Sequence, residues 1–224
     1  HTGFGPDAGN PSPYLGQAMP PTYMGMIAAK NAQIAIDFGV TSIIGSSNGD
    51  LLDVSLKEAI LLGLTVGPRV IPCTREMIAP GDSADGDVRS WYMGIEHTGL
   101  TRHVSGVEEM RLAVREEVGR GCQIVKLSIS DGHGSQIIPD WNYMSEEEIV
   151  TAVDEAHNRQ AMVRAHCPSR KGIIQCAKAG VDIIDHADMI DEEGIELVVA
   201  SGASITPSYL WSVRYMGFAA SWDY

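Results

Sequence analysis

The chain is predicted to be an α/β protein built on a parallel sheet, and three observations predict it. Short apolar runs bounded by glycine or proline alternate with stretches of helical period. Gly121, Gly180 and Gly202 each stand between a helical stretch and the apolar run after it, where a helix C-cap belongs. Three of the runs end in residues able to do chemistry: Gln123-Ile-Val-Lys126, Ala161-Met-Val-Arg-Ala-His166 and Val181-Asp-Ile-Ile-Asp-His186. Parallel strands joined by right-handed crossovers bring their carboxyl ends to one face, and that face carries the site. The expected architecture is a (β/α)8 TIM-type barrel that lacks its outermost N- and C-terminal parts in this chain. Its 224 residues suit one domain, 1–224, somewhat shorter than the roughly 250 residues of a typical barrel.

The elements are read in chain order. His1 to Pro21 is rich in Gly and Pro and is expected to be a loop. Met26, Ile27, Ala29, Ile34 and Ile36 predict a helix over 22–38 that stops at Gly39. Val40 to Ile44 is expected as a strand. A helix through Leu56, Ile60 and Leu61 follows, with Asp50 or Asp53 as its cap. Arg69 to Cys73 is the next strand. Residues 74–105 show no clear period and read as a long loop overhanging the pocket. Val107, Met110, Val114 and Val118 mark an amphipathic helix before the Lys126 run. Ser145 and Glu148 form a capping-box pattern that opens a helix to Arg159. Helices over 169–179 and 191–201 separate the last strands, which end with Ala203 to Tyr209.

Composition narrows the function. A net charge of −13 disfavours a nucleic-acid backbone or an anionic membrane as partner. No apolar stretch approaches the roughly 20 residues that span a bilayer. Cys73, Cys122, Cys167 and Cys176 have neither metal-ligand spacing nor the pattern of a disulfide framework, so a reduced, cytoplasmic setting is the expectation.

A lysine closing an apolar strand is either a snorkelling surface residue or a site residue, because a buried ammonium must be paired or lose its charge. A histidine in such a place is more often structural than a ligand. The three together, all at strand ends, favour a metal site.

Ile124-Val-Lys-Leu127, Val163-Arg-Ala-His166 and Ala177-Lys-Ala-Gly-Val-Asp-Ile-Ile-Asp-His186 resemble segments of the amidohydrolase superfamily, in its imidazolonepropionase-like and prolidase-type (Xaa-Pro dipeptidase-like) branch. Gly39-Val-Thr-Ser42, Gly67-Pro-Arg-Val70 and Val107-Glu-Glu-Met-Arg-Leu-Ala-Val-Arg-Glu116 add to the resemblance. It implies a binuclear centre of two divalent metal ions, zinc being the expected metal. Lys126 would be carbamylated and bridge the ions, and His166 and His186 would bind one of them. His1 would be a remnant of the Asp-x-His-x-His ligands of the first strand, or else a loop residue. The family's general-base aspartate has no counterpart after Tyr209.

Further substrate-binding candidates are Arg75, His133, Tyr143 and Tyr209. Arg75 matches an arginine after strand three of the relatives, but Pro80-Gly-Asp-Ser-Ala-Asp-Gly86 replaces the Gly-Gly-His segment that normally follows. His133 either contacts substrate or sits on a surface loop. Tyr143 lies one residue from a substrate-binding tyrosine of the relatives. Tyr209 either faces the pocket or packs as an ordinary aromatic. His97 and His103 are expected to be solvent-exposed, and His157 to be structural.

The resemblance implies hydrolysis of a C–N bond in an amide, dipeptide, N-acyl amino acid, carbamate or cyclic amide by a metal-bound hydroxide. The alternatives are a deaminase or lactonase on the same barrel, or a non-catalytic scaffold. The expected partners are a small-molecule substrate and further copies of the chain in a homo-oligomer, with neither nucleic acid nor membrane.

Overall fold

The computed structural model describes residues 20–82, 84–85, 99–131 and 140–209. The order along the chain is α1 (Pro21–Asp37), β1 (Ser42–Ile44), α2 (Leu52–Leu61), β2 (Arg69–Ile71), β3 (Cys73–Ile78), β4 (Thr101–His103), α3 (Val107–Gly119), β5 (Ile124–Ser128), α4 (Glu146–His157), β6 (Met162–Cys167), α5 (Arg170–Ala179), β7 (Ile183–His186), α6 (Glu192–Ser201) and β8 (Ser204–Thr206). Every strand pairing among the described residues is parallel. β1 and β2 form one ladder, and β4-β3-β5-β6-β7-β8 form another. Among the described residues β4 and β8 stand at the edges of the six-stranded sheet.

Pro72 explains how one extended run serves both ladders. Proline has no N–H to give, so a continuous ladder breaks there. Before it, β2 pairs with β1; after it, β3 pairs with β5. The Pro72 carbonyl accepts the Gln123 and Ile124 N–H groups at 2.8 and 3.0 Å, which starts β5 in register.

The caps follow the chemistry of their residues. Ser145 and Glu148 close a complete capping box on α4. Ser169 and Asp191 accept the N–H groups of Gly172 and Gly194 at the starts of α5 and α6. Gly180 and Gly202 end those two helices in the left-handed conformation that glycine adopts without steric cost.

The main core lies between the six-stranded sheet and its helices. Met77, Val125, Leu127, Val163, Ala165 and Ile184 project from the strands onto Met110, Val114, Ile149, Val153 and Ile173. A smaller core joins Ala28, Ala32, Leu52, Leu56 and Val70. Because strand side chains alternate, the opposite face of β3, β5, β6 and β7 is left to Glu76, Lys126, Ser128, Arg164, His166 and Asp185.

Four expectations are corrected. The strand expected to end at Cys73 continues to Ile78, and Thr101–His103 forms another, so 74–105 is not one uninterrupted loop. The period-2 signal is hidden because β3 carries charged residues on both faces, Arg75 on one and Glu76 on the other. Neither Asp50 nor Asp53 caps α2, whose N-cap is Leu51 with no side-chain cap. Asp53 is instead buried against the Cys73 N–H, at 3.4 Å. The last strand covers Ser204–Thr206 only. Lys126 lies in the middle of β5 rather than at its end.

Candidate functional site

Strand register assembles the site. Lys126 on β5 is the register partner of Arg164 on β6. One interior position further on, Ser128, His166 and Asp185 stand side by side across β5, β6 and β7. Two cations therefore occupy one level of the sheet, and a histidine and a carboxylate occupy the next.

Lys126 is 3% exposed, so its ammonium needs a partner. Its Nζ lies 2.6 Å from Asp185 Oδ2 and 3.8 Å from Glu76 Oε1. Arg164 Nε donates to both oxygens of Asp185 at 2.9 and 2.8 Å, and its Nη1 donates to the Gly45 carbonyl at 3.0 Å. Burial pushes the Asp185 carboxyl up, but the Lys126 charge and the Arg164 hydrogen bond and charge outweigh it and hold the group below the usual carboxylate range. Glu76 is held in turn by the Ser47 hydroxyl at 3.0 Å.

Gly45 is required where it is. A Cβ there would stand 2.1 Å from Asp53 Oδ2 and 2.6 Å from the Cys73 Cβ. Only glycine lets the end of β1 come this close to β3 and present its carbonyl to Arg164.

His166 and His186 face each other, with His166 Nδ1 3.0 Å from His186 Nε2 and ring centroids 4.6 Å apart. The other nitrogen of His186, Nδ1, is 2.8 Å from the Ser208 hydroxyl. Strand alternation alone would not give this arrangement, because His186 is in register with Cys167 on the helix-facing side. The backbone turns left-handed at His186 (φ 72°) and Ala187 (φ 53°), and the imidazole meets His166. A left-handed non-glycine residue costs on the order of 1–3 kcal/mol, and such strain concentrates at functional sites.

The imidazole pair fits a divalent ion. Two nitrogens about 2.0–2.1 Å from one zinc stand roughly 3.3 Å apart in a tetrahedral arrangement, close to the 3.0 Å here. Among the described residues, no group of three or more His, Cys, Asp or Glu gathers to hold a metal. Lys126, as an ammonium, fits its carboxylate partners.

The other candidates are dispersed. Arg75 points to the helix side, where Nε and Nη2 bind Glu117 Oε1 at 3.0 and 2.6 Å, so it is not brought to the trio. Tyr143 packs against the main core and donates its backbone N–H to the Ile129 carbonyl at 2.8 Å. Tyr209 is 77% exposed. His157 pairs with Asp182 at 2.9 Å, and Asp182 also accepts the Val163 N–H, which is the expected structural role. His103 is half-buried beside Asp85 at 2.9 Å rather than free in solvent. His1, His97 and His133 lie outside the described residues.

Sequence reading missed Glu76, Arg164, Asp185 and Asp82. The available signal was alternation: Arg164 lies two residues before His166, on the same strand face, and Asp185 adjoins His186. The four cysteines are free and buried, and burial pushes the Cys73 and Cys122 thiols up to about 12, which leaves them inert.

The chain is similar to known hydrolases. Ochratoxinase of Aspergillus niger is 29% identical over 216 residues, which covers 90% of this chain and 44% of that enzyme. Its crystal structure superposes with a TM-score of 0.79, at 25% identity over 92% of this chain and 50% of the other. A prolidase solved with N-methylphosphonate-L-proline gives a TM-score of 0.74 at 26% identity, again over 92% of this chain and 50% of the other. The chain thus spans about half the length of these relatives. A family model described as "Amidohydrolase family" matches residues 4–217, a span that includes every described strand and Lys126, His166 and His186, and the chain belongs to that family.

Proposed function

We propose that the full-length protein hydrolyses a C–N bond in an amide, dipeptide, N-acyl amino acid, carbamate or cyclic amide at a divalent-metal centre. The observation that carries this reading is the His166–His186 pair, turned together by a left-handed backbone beside the buried Lys126. Membership of the family, with an ochratoxinase and a prolidase among the relatives, supports the class of bond.

His166 Nδ1 and His186 Nε2 would hold the metal, which is zinc in this proposal. When bound, such ions lower the pKa of water and polarise a scissile carbonyl. The Ser208 hydroxyl orients the His186 ring from its far nitrogen, the kind of outer contact that fixes a ligand's tautomer. Arg164 holds Asp185 by two contacts and Gly45 by a third, tying β6, β7 and the end of β1 into one frame. Lys126 is proposed to become carbamylated and to supply carboxylate oxygens. Arg164 would then remain as the neutralising partner of Asp185.

The parallel sheet is proposed to be part of an eight-stranded TIM-type barrel of one domain, assembled as a homo-oligomer in the cytoplasm and acting on a small molecule. Among the described residues no helix is long and apolar enough to cross a membrane.

Metal analysis of the purified full-length protein tests the centre. Stoichiometric divalent ion is expected, with loss in His166→Ala and His186→Ala and an added carboxyl mass on Lys126. Absence of bound ion after loading with zinc would overturn the reading. Assays across dipeptides, N-acyl amino acids and carbamates then test the bond.

A further inference from the structure

The turn after β3 carries a carboxylate that neither the trio nor its ion pairs use. Asp82 is 2% exposed. Its Oδ1 accepts the Ala84 N–H at 2.8 Å, while its Oδ2 is buried and has no hydrogen-bond partner among the described residues. A buried carboxylate oxygen without a donor keeps its desolvation cost and gains nothing in return. Burial, above all, pushes the Asp82 carboxyl up to about 6; hydrogen bonds from the Ala84 N–H and the Ser128 side chain to the carboxylate oppose this, and the negative charges of Glu76 and Asp131 add to it.

Those neighbours locate the group. Ser128 is one interior position beyond Lys126 and is the register partner of His166. Glu76 lies 3.8 Å from the Lys126 ammonium. Asp82 therefore sits at the carboxyl ends of β3 and β5, beside the trio and on its side of the sheet. Glu76, which also faces the Lys126 ammonium, and Asp131 both add negative charge near Asp82, and its Oδ2 is the acceptor left for an incoming donor.

We propose that Asp82 is a substrate-recognition residue whose Oδ2 accepts a hydrogen bond from a cationic N–H group, so that the site takes amides bearing an ammonium near the scissile bond in preference to amides bearing a free carboxylate. This rests on the hydrolase reading above and narrows its substrate class. The same three carboxylates that attract an ammonium repel a substrate carboxylate.

The test uses the metal-loaded full-length protein and three probes. Leucine p-nitroanilide carries an ammonium, its N-acetyl derivative is uncharged, and N-acetyl-leucine carries a carboxylate. A charge-assisted hydrogen bond predicts kcat/KM for the ammonium probe about 10- to 100-fold above the uncharged one. Asp82→Asn should collapse that ratio towards one, and Asp82→Ser serves the same purpose if the first variant does not fold. An unchanged ratio in the folded variant, or a wild-type preference for the uncharged or carboxylate probe, would overturn the proposal while leaving the hydrolase reading intact. If the wild type cleaves none of the probes, the hydrolase reading fails for this class. Calorimetric titration with leucinamide against N-acetyl-leucinamide then decides on Asp82: tighter binding of the ammonium ligand by a similar factor supports it, and equal affinity overturns it.

Discussion

Arg75 and Glu76 are neighbours on β3, yet each belongs to a different buried charge cluster on a different face of the sheet. On the helix side, Arg75 holds Glu117, and Arg102 and Arg120 stand 3.6 and 3.7 Å from the same carboxylate oxygen. Arg75 and Arg120 reach partway to solvent while Arg102 Nη1 is buried, so this cluster keeps some hydration and fastens α3 to the strand. On the interior side, Glu76, Lys126, Arg164 and Asp185 lie strand to strand, and Lys126 and Asp185 are nearly sealed from water. Beside them are the facing histidines and the unsatisfied oxygen of Asp82. The difference teaches what marks a site. Among the described residues both faces bury charge, and the interior one combines it with a strained backbone and an unmet acceptor.

The sharpest way to break this comparison is to remove the carboxylate both interior cations share. Asp185→Ala leaves Lys126 buried with Glu76 as its one carboxylate partner among the described residues, and breaking such a pair costs about 3–5 kcal/mol. Denaturant unfolding should show this loss, and adding Lys126→Met should return part of it. A loss below ~1 kcal/mol would mean that water reaches the interior cluster as freely as it reaches the outer one.

On the helix face, Arg75→Ala should cost less, about 2 kcal/mol, because Glu117 keeps two other arginines near it. Divalent-metal uptake should not change. If uptake falls together with stability, the two faces are coupled and Arg75 regains a place in the site.

Asp82 sharpens the comparison through pH. Its carboxyl is raised from 3.8 to about 6, so between these values the folded state binds more protons than the unfolded chain. Stability at this residue therefore falls as pH rises through that window. A shift of about two units at 1.36 kcal/mol each sets an upper limit near 3 kcal/mol, and about 2 kcal/mol is the expected size. Stability curves of the wild type and Asp82→Asn from pH 3.5 to 7 should diverge in that direction. Parallel curves would mean that Asp82 Oδ2 is hydrated in solution.

The helix-facing half of the fold was legible in the sequence because its chemistry is repetitive. Apolar period, the Ser145–Glu148 box and the caps at Gly180 and Gly202 each specify structure locally. The interior half was legible only where a residue type is conspicuous at the end of an apolar run, as Lys126, His166 and His186 are. Glu76 and Arg75 concealed the strand that carries them, since a run charged on both faces lacks the alternation that betrays a strand. Arg164 and Asp185 were one alternation step from being found. Asp82 sits in a turn, and nothing in a Gly-Asp-Ser-Ala segment distinguishes a buried carboxylate from a solvated one. That distinction is made by tertiary packing.

The smallest effect should come from a heavily paired carboxylate whose partners are exposed. Glu155 takes Arg115, Arg111 and Arg159, and the Arg115 hydrogen bond leads in lowering its carboxyl from 4.5 to about 2. The shift rivals that of Asp82 in size, but its meaning differs. The Arg115, Arg159 and Arg111 side chains are 50%, 34% and 31% exposed, so solvent and salt screen what they give. With the folded value depressed, the contribution is present above the unfolded value and is lost as pH falls from 4.5 towards 2. Glu155→Gln should therefore cost no more than about 1 kcal/mol at neutral pH, and less at high salt. A salt-insensitive loss of several kcal/mol would place this surface cluster in the same class as Asp185, and exposure would no longer separate the two kinds of charge in this protein.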